Sequence, residues 1–178
     1  MAMDSFLLLS NGVLGESEDA VYEKGIDVLS WSWGLSNAGT THMASGGGGG
    51  KANIQDLSLT KYVDLSSNEL IKRCSNGSHF DKARLVVRKA GGEAPVEYYS
   101  INMEMVMVTS YQTSGMSDGS DRMTESLTLN MRRFEIVYKL QEVDGASGTE
   151  AMATWDAARN VEWDGAPGGE WKVGSGGW

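Results

Sequence analysis

The stretch GIDVLSWSWGLS, residues 25–36, decides the fold class because its large apolar and small polar residues alternate. A period of two residues indicates a β-strand, in which successive side chains point to opposite faces. The predicted inner face carries large apolar residues: Leu29, Trp31, Trp33 and Leu35. The predicted outer face carries small residues: Ser30, Ser32, Gly34 and Ser36. The stretch therefore predicts a half-buried strand with a heavy aromatic face.

The same period of two recurs further along the chain. In IQDLSLTKY, residues 54–62, Leu57 and Leu59 share the inner face. Residues 83–110 indicate two strands joined around Gly91 and Gly92. In the second of these strands the apolar residues again share one face: Tyr99, Ile101, Met103, Met105 and Met107.

The stretch ESLTLNMRRFEIVYKLQ, residues 125–141, alternates twice but out of phase. The first inner set has one parity: Leu127, Leu129 and Met131. The second inner set has the other parity: Phe134, Ile136 and Tyr138. The phase change at Arg132–Arg133 predicts a β-bulge or a corner, which are common where a sheet curls into a barrel.

One short helix is predicted in LSSNELIKRCSNG, residues 65–77. Ser66 as N-cap and Glu69 three residues later form a capping box, with Leu65 and Leu70 as its hydrophobic staple. Gly77 can end the helix in the left-handed conformation. The apolar stripe of this helix is narrow: Leu70, Ile71 and Cys74. Many short strands and one short helix predict an antiparallel barrel or sandwich.

Length and charge narrow the function classes. A chain of 178 residues is long enough for one domain with a sizeable core. Its net charge of −9 would repel nucleic acid and anionic membranes. The N-terminus MAMDSFLLLS has no Lys or Arg and only a short apolar block, so no signal peptide is predicted. We expect synthesis in the cytoplasm and, if the protein is exported, a route other than general secretion.

Patterns that suggest chemistry stand in the wrong context. GMSDG, residues 115–119, matches the serine-hydrolase motif around Ser117, but a loop and another strand follow where that motif needs a helix. Lys51 follows glycines as in a phosphate-binding loop, but Ala52 stands where Ser or Thr is required. Residues able to bind zinc lack the usual spacing: His42, His79 and Cys74. We predict no catalytic residue, no metal site and no cofactor.

Consecutive glycines, Gly46 to Gly50, are the strongest local anomaly. A linker between two domains fits poorly because neither side looks complete alone. A cloning scar beside HMAS is compatible with the sequence. The remaining interpretation is a long flexible loop over roughly Ser36 to Lys51 that projects from a barrel, and such loops are usually functional or disordered.

Several stretches, taken in this order, resemble the Hcp family, the haemolysin-coregulated proteins of bacterial type VI secretion. They are GIDVLSWSWGLS, HMASGGGGGKANIQDLSLTKYVD, ARLVVRKAGGEAPVEYYSI, DRMTESLTLN and WDAARNV. The resemblance runs over residues 1–161. The glycine run resembles the extended loop of that family, which argues against a cloning scar.

The resemblance implies a mainly β fold: a small antiparallel β-barrel with one short flanking α-helix, similar to phage tail-tube proteins. It implies a structural subunit whose hexameric rings stack into an inner tube, and a family that is not enzymatic. A contractile sheath propels the tube out of the cell, a spike trimer caps it, and effectors are carried or chaperoned in the lumen. The alternative is a tail-tube-like subunit of another contractile, phage-derived particle.

Two sets of candidate site residues follow. The first is a loop that contacts the next ring: Ser36, His42, Met43, Gly46, Gly47, Gly48, Gly49, Gly50 and Lys51. The second is a lumen face that touches effectors, with Ser30 and Ser32 as its residues, because small hydroxyl side chains leave room for cargo. The other interpretation of the serines is a strand face covered by a neighbouring sheet.

The chain changes character at its end. We divide it into an Hcp-like barrel domain, residues 1–161, and a Gly- and Trp-rich tail, residues 162–178. Seventeen residues with six glycines cannot bury a catalytic core, so a fused toxin domain is not expected. The tail is predicted to be flexible. The alternative is that its tryptophans anchor it to a neighbouring subunit, ring or cargo: Trp163, Trp171 and Trp178.

Overall fold

Nine strands and one helix make up the part of the chain that the computed structural model describes, residues 3–39, 50–89, 96–115, 122–141 and 147–163. The strands are β1 (Met3–Leu9), β2 (Ile26–Ser32), β3 (Leu35–Ser36), β4 (Asn53–Ile54), β5 (Leu57–Tyr62), β6 (His79–Lys89), β7 (Glu97–Ser114), β8 (Thr124–Gln141) and β9 (Ser147–Asp156). The helix α1 spans Ser67–Asn76.

Six strands close into an antiparallel barrel in the order β5-β2-β1-β6-β7-β8, and pairing of β5 with β8 completes the circle. β9 adds to the second half of β8, and β3 pairs with β4 in a separate short ladder. The predicted fold class, a small antiparallel barrel with a flanking helix, is therefore confirmed.

The barrel interior contains the apolar residues that alternation predicted in β5 and β8. Leu57, Leu59, Leu127 and Leu129 are buried. The aromatic face of β2 is confirmed at Trp31, which stacks on Tyr99 with ring centroids 5.7 Å apart. The predicted aromatic face is confirmed also at Trp33, directly after β2, which meets Phe134 edge-on with ring centroids 4.9 Å apart.

Alternation fails in the middle of β2, in β3 and near the end of β8. Leu29 is 48% exposed because the β2–β5 register shifts between Val28 and Ser30, so this residue is looped out of the ladder. Leu35 and Tyr138, both predicted to be internal, are exposed because the barrel wall has ended before them.

The phase change at Arg132–Arg133 is a corner and involves both strands of the β7–β8 hairpin. Met105, opposite it, has a φ of +50° and is 46% exposed, although parity predicts it inside. The ladder keeps its register across the corner, with Glu104 opposite Arg133 and Val106 opposite Met131. Because both strands exchange faces together, Val106 and Val108 replace the predicted Met105 and Met107 in the core.

The helix ends as predicted but begins differently. Gly77 adopts a φ of +69° and its N–H donates to the Arg73 carbonyl. The predicted capping box is wrong, since Ser66 makes no side-chain cap bond and instead donates to Asp64, while Glu69 pairs with Arg73. The predicted staple and part of the stripe are wrong as well, because two of their members are exposed: Leu65 and Ile71.

The segment between β1 and β2 covers the outer face of the sheet. Its Tyr22 stacks on Phe6 with ring centroids 4.9 Å apart, in a second small core with Leu8 and Val86. Its Asp19 pairs with the buried Arg88, which also lies 3.6 Å from the Asp4 carboxylate. This segment is therefore held on the barrel wall by both apolar packing and charge.

A buried ion pair lies at the β5–β8 closure. Lys61 and Glu125 are direct cross-strand partners whose side chains have no exposed surface. The Lys61 Nζ lies 2.8 Å from Glu125 Oε1 and 2.7 Å from Asp64 Oδ1, and the Tyr111 hydroxyl donates to the other Glu125 oxygen. The buried lysine is thus shared between two carboxylates.

We expect Lys61→Met to lower the free energy of unfolding by about 3–5 kcal/mol, because it leaves the Glu125 carboxylate buried and unpaired. Lys72→Met is the matched control, since Lys72 is exposed and its pair with Glu69 contributes less than about 1 kcal/mol. Urea unfolding measures both. Equal losses in the two variants would show that the pair does not stabilise the barrel closure.

Candidate functional site

Serine and threonine residues cover the outer face of a four-strand sheet in the order β2-β5-β8-β7. The register places Ser32 opposite Ser58 and Ser58 opposite Thr128. In the next row Ser30 lies opposite Thr60, which lies opposite Ser126. The rows meet because each strand alternates a buried apolar residue with an outward hydroxyl. We call this surface the hydroxyl face: Ser30, Ser32, Ser58, Thr60, Ser110, Ser126 and Thr128.

The hydroxyl face encloses a shallow groove of about 300 Å³ whose lining contains no charged residue. Hydroxyl pairs on it bond to one another, with 2.6 Å between Ser110 Oγ and Thr128 Oγ1. Hydroxyls both donate and accept, so the face can bond to a varied peptide surface without imposing a charge. It offers no acid, base or nucleophile arrangement for catalysis.

The structure places Ser30 and Ser32 together on this face and exposes both. The other members were missed by sequence reasoning, although a signal for them was present. LSLT in β5 and ESLTL in β8 alternate leucine with serine or threonine, as β2 alternates tryptophan with serine. Only strand pairing shows that these hydroxyls form one surface.

The predicted loop leaves the barrel through the β3–β4 ladder. Leu35 pairs with Ile54, and the Gln55 N–H donates to the Gly34 carbonyl at 3.0 Å. Ser36 and Lys51 are exposed on the two sides of this root. Gly50 is also within the described residues. The other loop candidates lie outside them: His42, Met43, Gly46, Gly47, Gly48 and Gly49.

Asp56 connects the loop root to the edge of the hydroxyl face. One of its carboxylate oxygens accepts from Thr109 Oγ1 at 2.5 Å and the other from Asn130 Nδ2 at 2.7 Å. Thr109 is the residue at which the β7–β8 register shifts, and its hydroxyl also lies 2.7 Å from that of Thr128. Asp56 and Thr109 therefore fix the position of the loop root relative to the hydroxyl face.

Trp163 lies beside the end of β9. Its carbonyl accepts from Thr154 Oγ1 at 2.6 Å, and the Arg133 guanidinium stands 5.5 Å from its ring centroid. Arg133 Nε donates at 2.7 Å to Asp156, whose other oxygen accepts the Ala158 N–H. The other predicted tail anchors lie outside the described residues: Trp171 and Trp178.

The remaining candidate chemistry can be placed only in part. Ser117 lies outside the described residues. Among the residues that the structure describes, no group of three or more His, Cys, Asp or Glu side chains is arranged to hold a metal ion. Within the same ranges, no helix has the length and apolar character that crossing a bilayer requires.

Known proteins match most of the chain. A family profile described as "Type VI secretion system effector, Hcp" matches residues 6–138. The curated "Protein hcp1" of Pseudomonas aeruginosa is 47% identical over 163 residues, which cover 91% of this chain and 99% of that protein. The solved "Structure of a type six secretion system protein" has a TM-score of 0.84 at 29% identity, covering 91% of this chain and 100% of its own. Hcp1 from Salmonella typhimurium has a TM-score of 0.76 at 32% identity, covering 92% and 100%.

Stability should depend on pH through Asp156, whose pKa is lowered to about 2 by its hydrogen bond from Arg133. A lowered folded-state pKa stabilises the fold above the unfolded value near ~3.9 and loses that effect as the pH falls toward about 2. Asp156→Asn should therefore lower the free energy of unfolding by about 2 kcal/mol at pH 7 and far less at pH 2. Denaturant unfolding at both pH values checks this. An equal loss at both would assign the effect to packing.

Proposed function

This chain belongs to the Hcp family of type VI secretion and is a structural subunit of the secreted tube; on that premise we propose that it closes into hexameric rings, which stack and carry effector proteins in the lumen. Its role is structural and not enzymatic. It is made in the cytoplasm and leaves the cell in the tube. Its partners are further copies of itself, the spike trimer, the contractile sheath and effectors, and include neither nucleic acid nor a membrane.

The observation that supports ring closure is that the sheet bearing the hydroxyl face has two unpaired edges within the described ranges. β2 pairs with β1 only at Ile26 and Asp27, and no other described strand borders its remaining residues on that side. β7 pairs with β6 only as far as Met107, and no described strand borders its last residues on that side either. Different edges on one subunit can pair head-to-tail between copies and close a ring.

Joining β2 of one copy to β7 of the next would continue the hydroxyl face around the ring. Among the described strands, β9 has a third unpaired edge; β9 pairs with the part of β8 beyond the corner and does not border that face. The continuous surface would then be the lumen wall, with Ser30 and Ser32 exposed on it. Small uncharged side chains there leave space and hydrogen-bonding groups for cargo.

The loop over Ser36–Lys51 and the end of the chain supply the remaining contacts of the proposed tube. The root of the loop is ordered by β3 and β4, so its two ends leave the barrel at a defined place. We assign the loop to the contact between rings. Trp163, with Trp171 and Trp178 beyond it, is assigned to anchoring on a neighbouring subunit, ring or cargo, since tryptophan is a frequent interface anchor.

Ring closure can be tested at Leu29, which is 48% exposed beside the unpaired edge of β2. Leu29→Glu should convert the ring into monomers, because it places a charge in the subunit contact. Leu140→Glu is the matched control, since Leu140 is 47% exposed on the part of β8 beyond the corner, outside both edge strands, and it should keep the ring. Light scattering after size exclusion measures the mass, and circular dichroism checks the fold.

A parent protein that stays monomeric at micromolar concentration across ordinary salt would contradict ring formation itself. A Leu29→Glu variant that keeps the ring mass would contradict the assignment of the edges alone.

The lumen assignment can be tested with Ser32→Gln. The variant should change the free energy of unfolding by less than about 0.5 kcal/mol, as exposed substitutions usually do, and should keep the ring mass. It should lower co-purification or export of a lumen cargo, because the longer side chain fills the space above the face. Ser75→Gln on the helix is the control and should leave cargo unaffected. Loss of the ring in Ser32→Gln would identify the face as a subunit contact.

A further inference from the structure

An apolar groove of about 360 Å³ lies where the loop root meets the part of β8 and β9 beyond the corner. The loop root and the β8–β9 ladder share its apolar lining: Leu35, Ile54, Phe134, Ile136, Ala153 and Trp155. Its polar lining side chains are uncharged: Asn37, Thr154 and Asn160. We call this site the β9 groove. A concave apolar site of this size can receive an aromatic side chain.

The described residues cover the β9 groove only in part. Leu35 is 52% exposed on one wall, and Ala153 is exposed on the other. The Trp155 Nε1 atom is buried and has no hydrogen-bond partner within the described ranges. A buried indole N–H normally finds an acceptor, and the backbone carbonyls of a further segment would supply one. Both observations indicate that a further segment lies over the groove.

The described part of the chain ends at the border of the β9 groove. After β9 the chain turns back, and the Asp156 N–H donates to the Val161 carbonyl at 2.9 Å in an antiparallel bridge. Thr154, a lining residue, donates its hydroxyl proton to the Trp163 carbonyl at 2.6 Å. Residues 164–178 follow from this point. The tail therefore starts beside β9, along the edge that no other described strand borders.

The sequence of the tail suits a return into the groove. Residues 164–170, DGAPGGE, contain turn-forming glycines and a proline, which permit the chain to pass around the edge of β9. Fully extended, this stretch spans about 25 Å, which is several times the spacing between neighbouring strands. In the residues that follow, Trp171 and Val173 share one face of an extended segment. Glu170 and Lys172 share the other face, so the segment has one apolar side for an apolar groove.

We propose that Trp171, with Val173 beside it, occupies the β9 groove of its own subunit. The subunit's own tail is favoured because Thr154 already holds Trp163 at the border, which gives the segment a high effective concentration there. This narrows the anchoring assigned to the tail above, since Trp171 is held within the subunit and Trp178 is left to reach a neighbour. The docked tail ties the loop root to β8 and β9, and thus fixes the direction in which the loop leaves the barrel.

Hydrogen–deuterium exchange of the full chain, read by mass spectrometry, tests the contact. The Gln55 N–H donates to Gly34 in the loop root, and Trp171→Ser should speed its exchange about tenfold because the root loses its cover. Trp178→Ser is the matched control, since it makes the same change in the same tail, and it should leave this amide unaffected. Ala153→Glu, which puts a charge in the groove, should speed the exchange as much as Trp171→Ser. The two changes combined should add nothing further, because both remove one contact.

A photo-cross-link identifies the surface that the tail contacts. Trp171→p-benzoylphenylalanine keeps an aromatic side chain and should form a product with a lining residue of the groove: Leu35, Ile54, Ile136 or Ala153. The product should run as a monomer on a denaturing gel, since both ends belong to one chain. The same photoreactive residue in place of Trp178 is the control and should not label the groove.

Products of dimer mass at the same lining residues would overturn the assignment to the subunit's own groove, while the anchoring between subunits proposed above would stand. Products outside the groove, or exchange in Trp171→Ser equal to that of the parent, would overturn the groove as the docking site. The mass of the parent ring tests the proposed function separately, because the groove and the tail belong to one chain and can meet without a ring.

Discussion

Pairing between β5 and β8 is the constraint on which the rest of the structure depends. β5 has only six residues, yet it pairs with β2 on one side and β8 on the other. Lys61 and Glu125 face each other across this closure with no exposed side-chain surface. Buried partners of opposite charge tolerate only a register that brings them together, because either one alone would be left desolvated and unpaired. The ion pair therefore specifies the register as well as closing the barrel.

That register determines the surface that we assign to the lumen. Leu57 and Leu59 point inward, so Ser58 and Thr60 must point outward in line with Ser32 and Thr128. A slip of one residue would send leucines to the outside and hydroxyls into the core. The same strand pairing thus places both the leucines in the core and the hydroxyls on the outer face.

The corner at Met105 and Arg132 divides the long β7–β8 hairpin into two parts with different neighbouring strands. On one side of it β8 pairs with β5 and completes the barrel, and on the other it pairs with β9. Beyond Met107 β7 has no β6 partner, and no other described strand borders that edge. Closed barrels normally remove their edges. Here closure is only local, and two of the edges that remain in the described strands border the hydroxyl face.

The local sequence pattern was sufficient to predict the features that depend only on residues near one another in the chain. Alternation identified the buried leucines of β5 and β8, the aromatic face of β2 at Trp31 and Trp33, and the strands on either side of Gly91 and Gly92. The helix and its left-handed end at Gly77 were predictable because helix termination is a local backbone event. The Hcp resemblance named the family, the fold and the structural role from several short stretches together.

Tertiary structure decided the features that depend on residues distant in sequence. The looped-out Leu29 and the exposed Met105 follow from ladder register and a barrel corner, which single-strand parity cannot express. The capping box predicted at Ser66 does not form, because the Ser66 hydroxyl donates to Asp64 instead. The buried Lys61 also holds that carboxylate. In the sequence, Lys61 looks like an ordinary surface lysine. Only the fold shows that Glu125 lies opposite it. The single hydroxyl face likewise exists only after four strands pair, since hydrogen bonding between strands, and not proximity in the chain, brings its residues together.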